Sequence, residues 1–183
     1  CYPIMKECNF TGVLVVTNGM MPGDEGCMTV AQFKELIKEG WNICIEWDEE
    51  ILKNKWWNDI RKSLKALDMQ PGNVVYFPEG TYDKKYDSIA QQRGFSILVI
   101  ERTEEENPIQ AQNEDGIWHL GAIGFMTKQP KIWLQEAVNQ DANITYLIGF
   151  EEEKQLYNGE SFKGMLMALQ QYEAASELMI GDV

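Results

Sequence analysis

The chain holds one histidine in 183 residues, His119, and no pair of cysteines in a CxxC pattern. A lone imidazole cannot build a multi-histidine zinc centre. The four cysteines, Cys1, Cys8, Cys27 and Cys44, also lack zinc-ribbon spacing. A disulfide framework is not expected, because a chain of this length can bury its own core. Basic residues are scarce as well: 16 Lys and Arg stand against 29 Asp and Glu, for a net charge of −13. Such a field repels phosphate backbones, so nucleic acid is not expected as a partner. No apolar run approaches the ~20 residues of a transmembrane helix, so no membrane span is expected. Internal repeats and low-complexity tracts are absent. No signal peptide is evident, and Cys1 reads as the edge of a fragment or processed chain. Localisation stays open between cytoplasm and cell envelope, with unpaired thiols favouring a reducing compartment.

What is present is an alternation of strands and helices. TGVLVV (residues 11–16) is an apolar, β-branched run that ends in a turn-rich loop. Tyr2 and Pro3 lead into a helix-like stretch before it. Thr29 opens a helix with Gln32 three residues on, the pattern of a capping box, and Gly40 closes it. NICIEW (residues 42–47) is the next strand. A helix follows with Trp57, Ile60, Leu64 and Leu67 on one stripe. NVVYF (residues 73–77) is a strand, PEGTYD a tight turn, residues 83–93 a helix stopped by Gly94, and FSILVI (residues 95–100) a strand. Residues 102–116 are polar and acidic and read as the longest loop. Beyond them come a strand at residues 116–125, a helix at 128–140, a strand at 143–150, a loop, a helix at 161–172 and a short strand at 177–180. The whole reads as a single α/β domain over residues 1–183 with parallel strands, in which chemistry gathers at the carboxyl ends of the strands.

Chemistry-bearing residues cluster after the second strand. Glu46 and Glu50 are two carboxylates four positions apart. They read as a divalent-metal site, as the lip of a sugar-binding groove, or as solvated groups at a strand end. Trp47, beside Glu46, is the aromatic face best placed to stack on a sugar ring. Trp56 and Trp57 fit core packing better. His119, flanked by Trp118 and Leu120, reads as a structural histidine. No Ser or Cys nucleophile signature accompanies it, so no acyl-transfer triad and no catalytic residue is assigned.

Several segments together resemble the polysaccharide deacetylases, the NodB-like carbohydrate esterases of family 4. MTVAQFKELIKEGWNIC resembles the family's threonine, helix and glycine that lead to its His-Glu-Ile-Gly motif. The segment IRKSLKALDMQPGNVVYFPEGTYDKKYDSIAQQRGFSILV resembles the strand ending in an aromatic-Pro-aromatic-Gly turn, with the helix that follows. ANITYLIGFEEE and ESFKGMLMALQQY resemble the late strand and its helix, and CYPIMKECNFTGVLVVTNG the family's early Thr-x-Phe-Val strand. The resemblance implies an incomplete or distorted (β/α)7 barrel with its first catalytic strand missing. Family members bind a divalent metal through one Asp and two His and use a second Asp as base. The Asp-Asp strand has no counterpart here, and the two histidines fall on Glu46 and Glu50. The family's late histidine falls near Phe150 or Glu151. The turn that walls the family's substrate groove falls on Phe77, Pro78, Glu79 and Tyr82, and Glu151 ends a strand at the same face.

Two functions follow from the resemblance. One is a catalytically degenerate deacetylase-like domain that binds carbohydrate or a partner and needs no cofactor. The other is an active metal-dependent carbohydrate deacetylase in which Glu46 and Glu50 hold a divalent metal such as zinc. An open barrel edge would leave unpaired strand groups and favour a homo-oligomer.

Overall fold

The structure is a computed structural model, and it describes residues 2–17, 19–49, 54–103, 106, 111–124, 135–136, 139, 145–147 and 160–174. Two compact units divide the chain. One comprises residues 12–100 and 113–119 with residue 183, and the other residues 1–11, 101–112 and 120–182.

The larger unit is a run of βα repeats. Strand β1 (Val13–Val16) leads through a loop to helix α2 (Val30–Lys38) and strand β2 (Asn42–Glu46). Helix α3 (Asn54–Ala66), strand β3 (Val74–Phe77), a 3-10 turn (Lys84–Tyr86), helix α4 (Asp87–Gln92) and strand β4 (Ile97–Glu101) follow. The strands pair in parallel in the order β1-β2-β3-β4. The register runs through Leu14↔Ile43, Cys44↔Val74 and Val75↔Leu98. Parallel neighbours need a crossover, and each helix here supplies one. The α/β class with parallel strands is therefore what the chain forms.

Local chemistry explains the elements. Thr29 caps α2 by accepting from the Gln32 backbone N–H, while the Gln32 side chain accepts from the Thr29 N–H, the expected capping box. Gly40 ends that helix at φ +96°, a conformation that glycine adopts without a Cβ penalty. Trp57, Ile60 and Leu64 of α3 are buried, and Leu67 packs against the same core. That core also takes Ile43, Ile45, Val75, Phe77, Leu98 and Ile100, with α2 adding Phe33. Gly72 lies so close to β2 that a Cβ on it would stand 2.3 Å from the Ile43 carbonyl oxygen. That close approach is how the turn before β3 lays it beside β2.

Two segments depart from the expected pattern. Residues 83–93 form a 3-10 turn followed by a shorter α-helix, because the Asp83 carboxylate accepts from the Lys85 N–H and tightens the start. Part of the expected loop at 102–116 is strand β5 (Ala111–Glu114), joined to strand β6 (Ile117–Gly124) by Asp115 at φ +52° and Gly116 at φ +84°. Positive φ at both central residues is the geometry of a tight hairpin turn.

The second unit carries helix α1 (Tyr2–Glu7), the later residues of β6, strand β7 (Thr145–Leu147) and a C-terminal helix, α5 (Glu160–Ala174). Strand β7 pairs in parallel with β6 through Ala122↔Thr145. Cys8, Phe162 and Leu166 form a small core with Ile4, Met5, Phe10 and Leu169. Lys163 pairs with Glu7, and the Gln170 side-chain amide donates to the Cys8 carbonyl, tying α5 to α1. The expected strand at 177–180 and most of the expected helix at 128–140 lie outside the described residues.

Candidate functional site

Strands β2 and β3 end side by side, with Glu46 in register with Tyr76 and the Trp47 N–H donating to the Tyr76 carbonyl at 2.6 Å. Both strands are fixed by the core, so whatever follows them is placed at their carboxyl ends. After β3, Pro78 to Thr81 reverse the chain. The Thr81 N–H donates to the Pro78 carbonyl at 3.0 Å, its hydroxyl does so at 2.6 Å, and Gly80 takes φ +71°. A turn with positive φ at its third residue requires glycine there.

The expected groove residues take different positions. Pro78 and Tyr82 are half-buried and Glu79 is exposed, at the surface of the turn. Trp47 and Phe77, expected to face a ligand, are instead core residues. Trp47 is only 4% exposed and its ring stacks on Phe77 at 4.6 Å and meets Tyr86 at 4.9 Å. The chain turns inward directly after β2, and this aromatic cluster outweighs solvation of the indole. Glu46 is half-buried at the strand end. Its charge adds to the effect of burial in pushing the Cys44 thiol far above its ordinary range. Glu50 and Glu151 lie outside the described residues, and among the described residues no group of three His, Cys, Asp or Glu is placed to hold a metal ion.

A part-buried polar trio in the larger unit is one that the spacing of its residues does not announce. Tyr82 follows the turn, Asp87 opens α4 and His119 lies on β6. The Tyr82 hydroxyl donates to Asp87 Oδ1 at 3.0 Å, and His119 Nε2 stands 3.2 Å from Asp87 Oδ2. The carboxylate oxygen accepts, so Nε2 is the donor in this bond. The side chains of His119 and Asp87 are 11% and 18% exposed. The Tyr82 ring meets the imidazole edge-on at 5.9 Å. Nδ1 is buried and has no hydrogen-bond partner among the described residues.

A carboxylate that orients an imidazole is half of an acid–base device. Among the described residues the other nitrogen has no hydrogen-bond partner, and what the trio does in the structure is join three segments. It ties the turn after β3 to α4 and to β6. His119, expected to be structural, is bonded through Nε2 to Asp87. Asp87 and Tyr86 were missed, since nothing in their spacing marks them. The one available signal was Tyr82, five residues before Asp87.

No family model matches the chain, and neither does any curated protein or solved structure.

Proposed function

We propose that the chain is a polysaccharide-deacetylase-like domain, an incomplete (β/α)7 barrel of the NodB type, that binds carbohydrate or a partner and has lost metal-dependent catalysis. The observation that carries this reading is the commitment of His119. The resemblance calls for two imidazoles at positions 46 and 50, which hold glutamates. The single imidazole of the chain is tied through Nε2 to Asp87, and its Nδ1 is buried. Parallel βα repeats and the Pro78–Gly80 turn at the carboxyl end of β3 support the same scaffold.

The half-buried Pro78 and Tyr82 and the exposed Glu79 form the surface a glycan would meet. Glu46 at the neighbouring strand end supplies a hydrogen-bond acceptor for sugar hydroxyls. The test is incubation with an N-acetylated chitooligosaccharide and added zinc, with acetate release and calorimetric binding read in parallel. Saturable binding without acetate release is the expected result. Zinc-dependent acetate release that disappears in Glu46→Ala would replace this reading with the active deacetylase.

A further inference from the structure

Strand β1 ends the order β1-β2-β3-β4, so among the described residues it has a hydrogen-bonded neighbour on one side only. The outer flank of such a strand is a row of backbone donors and acceptors ready to pair. Proteins guard these edges with lysine, proline, inward charges or bulges. None of these guards stands on β1, and its pairing with β2 shows an unbroken parallel register.

The charge pattern around it is unusual for this chain. Charged residues make up 25% of the sequence, yet residues 9–23 contain no Asp, Glu, Lys or Arg. Exposed apolar side chains gather in the same place. Five large hydrophobics are exposed among the described residues, and Val15 (42%), Met20 (58%) and Met28 (37%) belong to β1 or the loop after it. A chain of net charge −13 repels a second copy of itself over most of its surface. This neutral strand edge is where two copies can meet without like charges opposed.

We propose that the free edge of β1 pairs with β1 of a second copy, antiparallel about a two-fold axis. Centring the axis on Val15 sets Val15 opposite Val15 and Leu14 opposite Val16 of the other copy, so that opposed side chains share a face. These are aliphatic and β-branched pairs of the kind that stabilise sheets. Among the described residues β1 has one free edge, so this pairing closes at two copies and does not propagate. The contact depends on the strand edge alone and stands whether or not the chain binds carbohydrate.

Sedimentation velocity on the full chain, from low micromolar to several hundred micromolar, tests the proposal. The sedimentation coefficient should rise from monomer to dimer. Association should strengthen with added NaCl, because salt screens the repulsion between acidic copies. Val15→Lys installs the missing guard and should weaken association by about tenfold, while Val15→Thr keeps a β-branched residue and leaves it nearly unchanged. Hydrogen exchange on the unaltered protein needs no variant, and the amides of residues 13–16 should gain protection at high concentration. A monomer at every concentration would overturn the proposal. So would association that weakens with salt, or unchanged exchange at β1 in a dimer.

Discussion

Removing one oxygen from Tyr82 tests whether the Tyr82–Asp87–His119 trio holds the turn in place. Tyr82→Phe keeps the ring, and with it the edge-on contacts to Phe77 at 5.3 Å and to His119 at 5.9 Å. What is lost is the 3.0 Å bond from the hydroxyl to Asp87 Oδ1. Hydrogen bonds to a charged partner contribute about 1.5–3 kcal/mol. Asp87 is 18% exposed, so water can partly replace the hydroxyl. The expected loss is therefore about 1–2 kcal/mol, or a melting temperature lower by roughly 3–6 °C in a chain of this size. Urea unfolding followed by tryptophan fluorescence measures it. Combining Tyr82→Phe with Asp87→Ala completes a cycle whose coupling should be about 1 kcal/mol. A coupling indistinguishable from zero would show that the hydroxyl and the carboxylate do not act together, and the positioning role would fall with it.

Two further predictions concern the frame of the site. Gly72→Ala sets a methyl group against the Ile43 carbonyl, 2.3 Å away, and backbone cannot rotate aside as a side chain can. The loss should be about 2–3 kcal/mol, seen as a lower urea midpoint, and an unchanged midpoint would refute the close approach of the turn to β2. Cys44 makes stability depend on pH. Burial first and the Glu46 charge second push its thiol up, so the folded chain keeps a proton that the unfolded chain releases near pH 8.5. This contribution is fully present below that pH and is lost as the pH rises, by up to about 1.4 kcal/mol per unit. Urea melts at pH 8, 9 and 10 should show a steeper decline for the unaltered chain than for Cys44→Ala, and equal slopes would contradict the burial of the thiol.

Much of the frame was legible because short-range chemistry decided it. The Thr29 and Gln32 pair, the glycines at 40, 80 and 94, and the stripe from Trp57 to Leu67 each act within a few residues. Strand β5 was hidden because AQNE has no β-branched or aromatic residue, and its pairing comes from the hairpin rather than from propensity. The Asp115-Gly116 dipeptide was the available sign of that hairpin. The inward turn of Trp47 could not be read from its neighbours. It depends on Phe77 and Tyr86, 30 and 39 residues away in sequence. The Asp87 and His119 pair spans 32 residues and two elements, so only the folded chain brings them together.

The proposal that a deacetylase-like scaffold persists here without its metal is met most directly by elemental analysis of the full chain, purified with no metal added. The account predicts no stoichiometric zinc, cobalt or nickel. One such ion per chain, lost on Glu46→Ala, would contradict it.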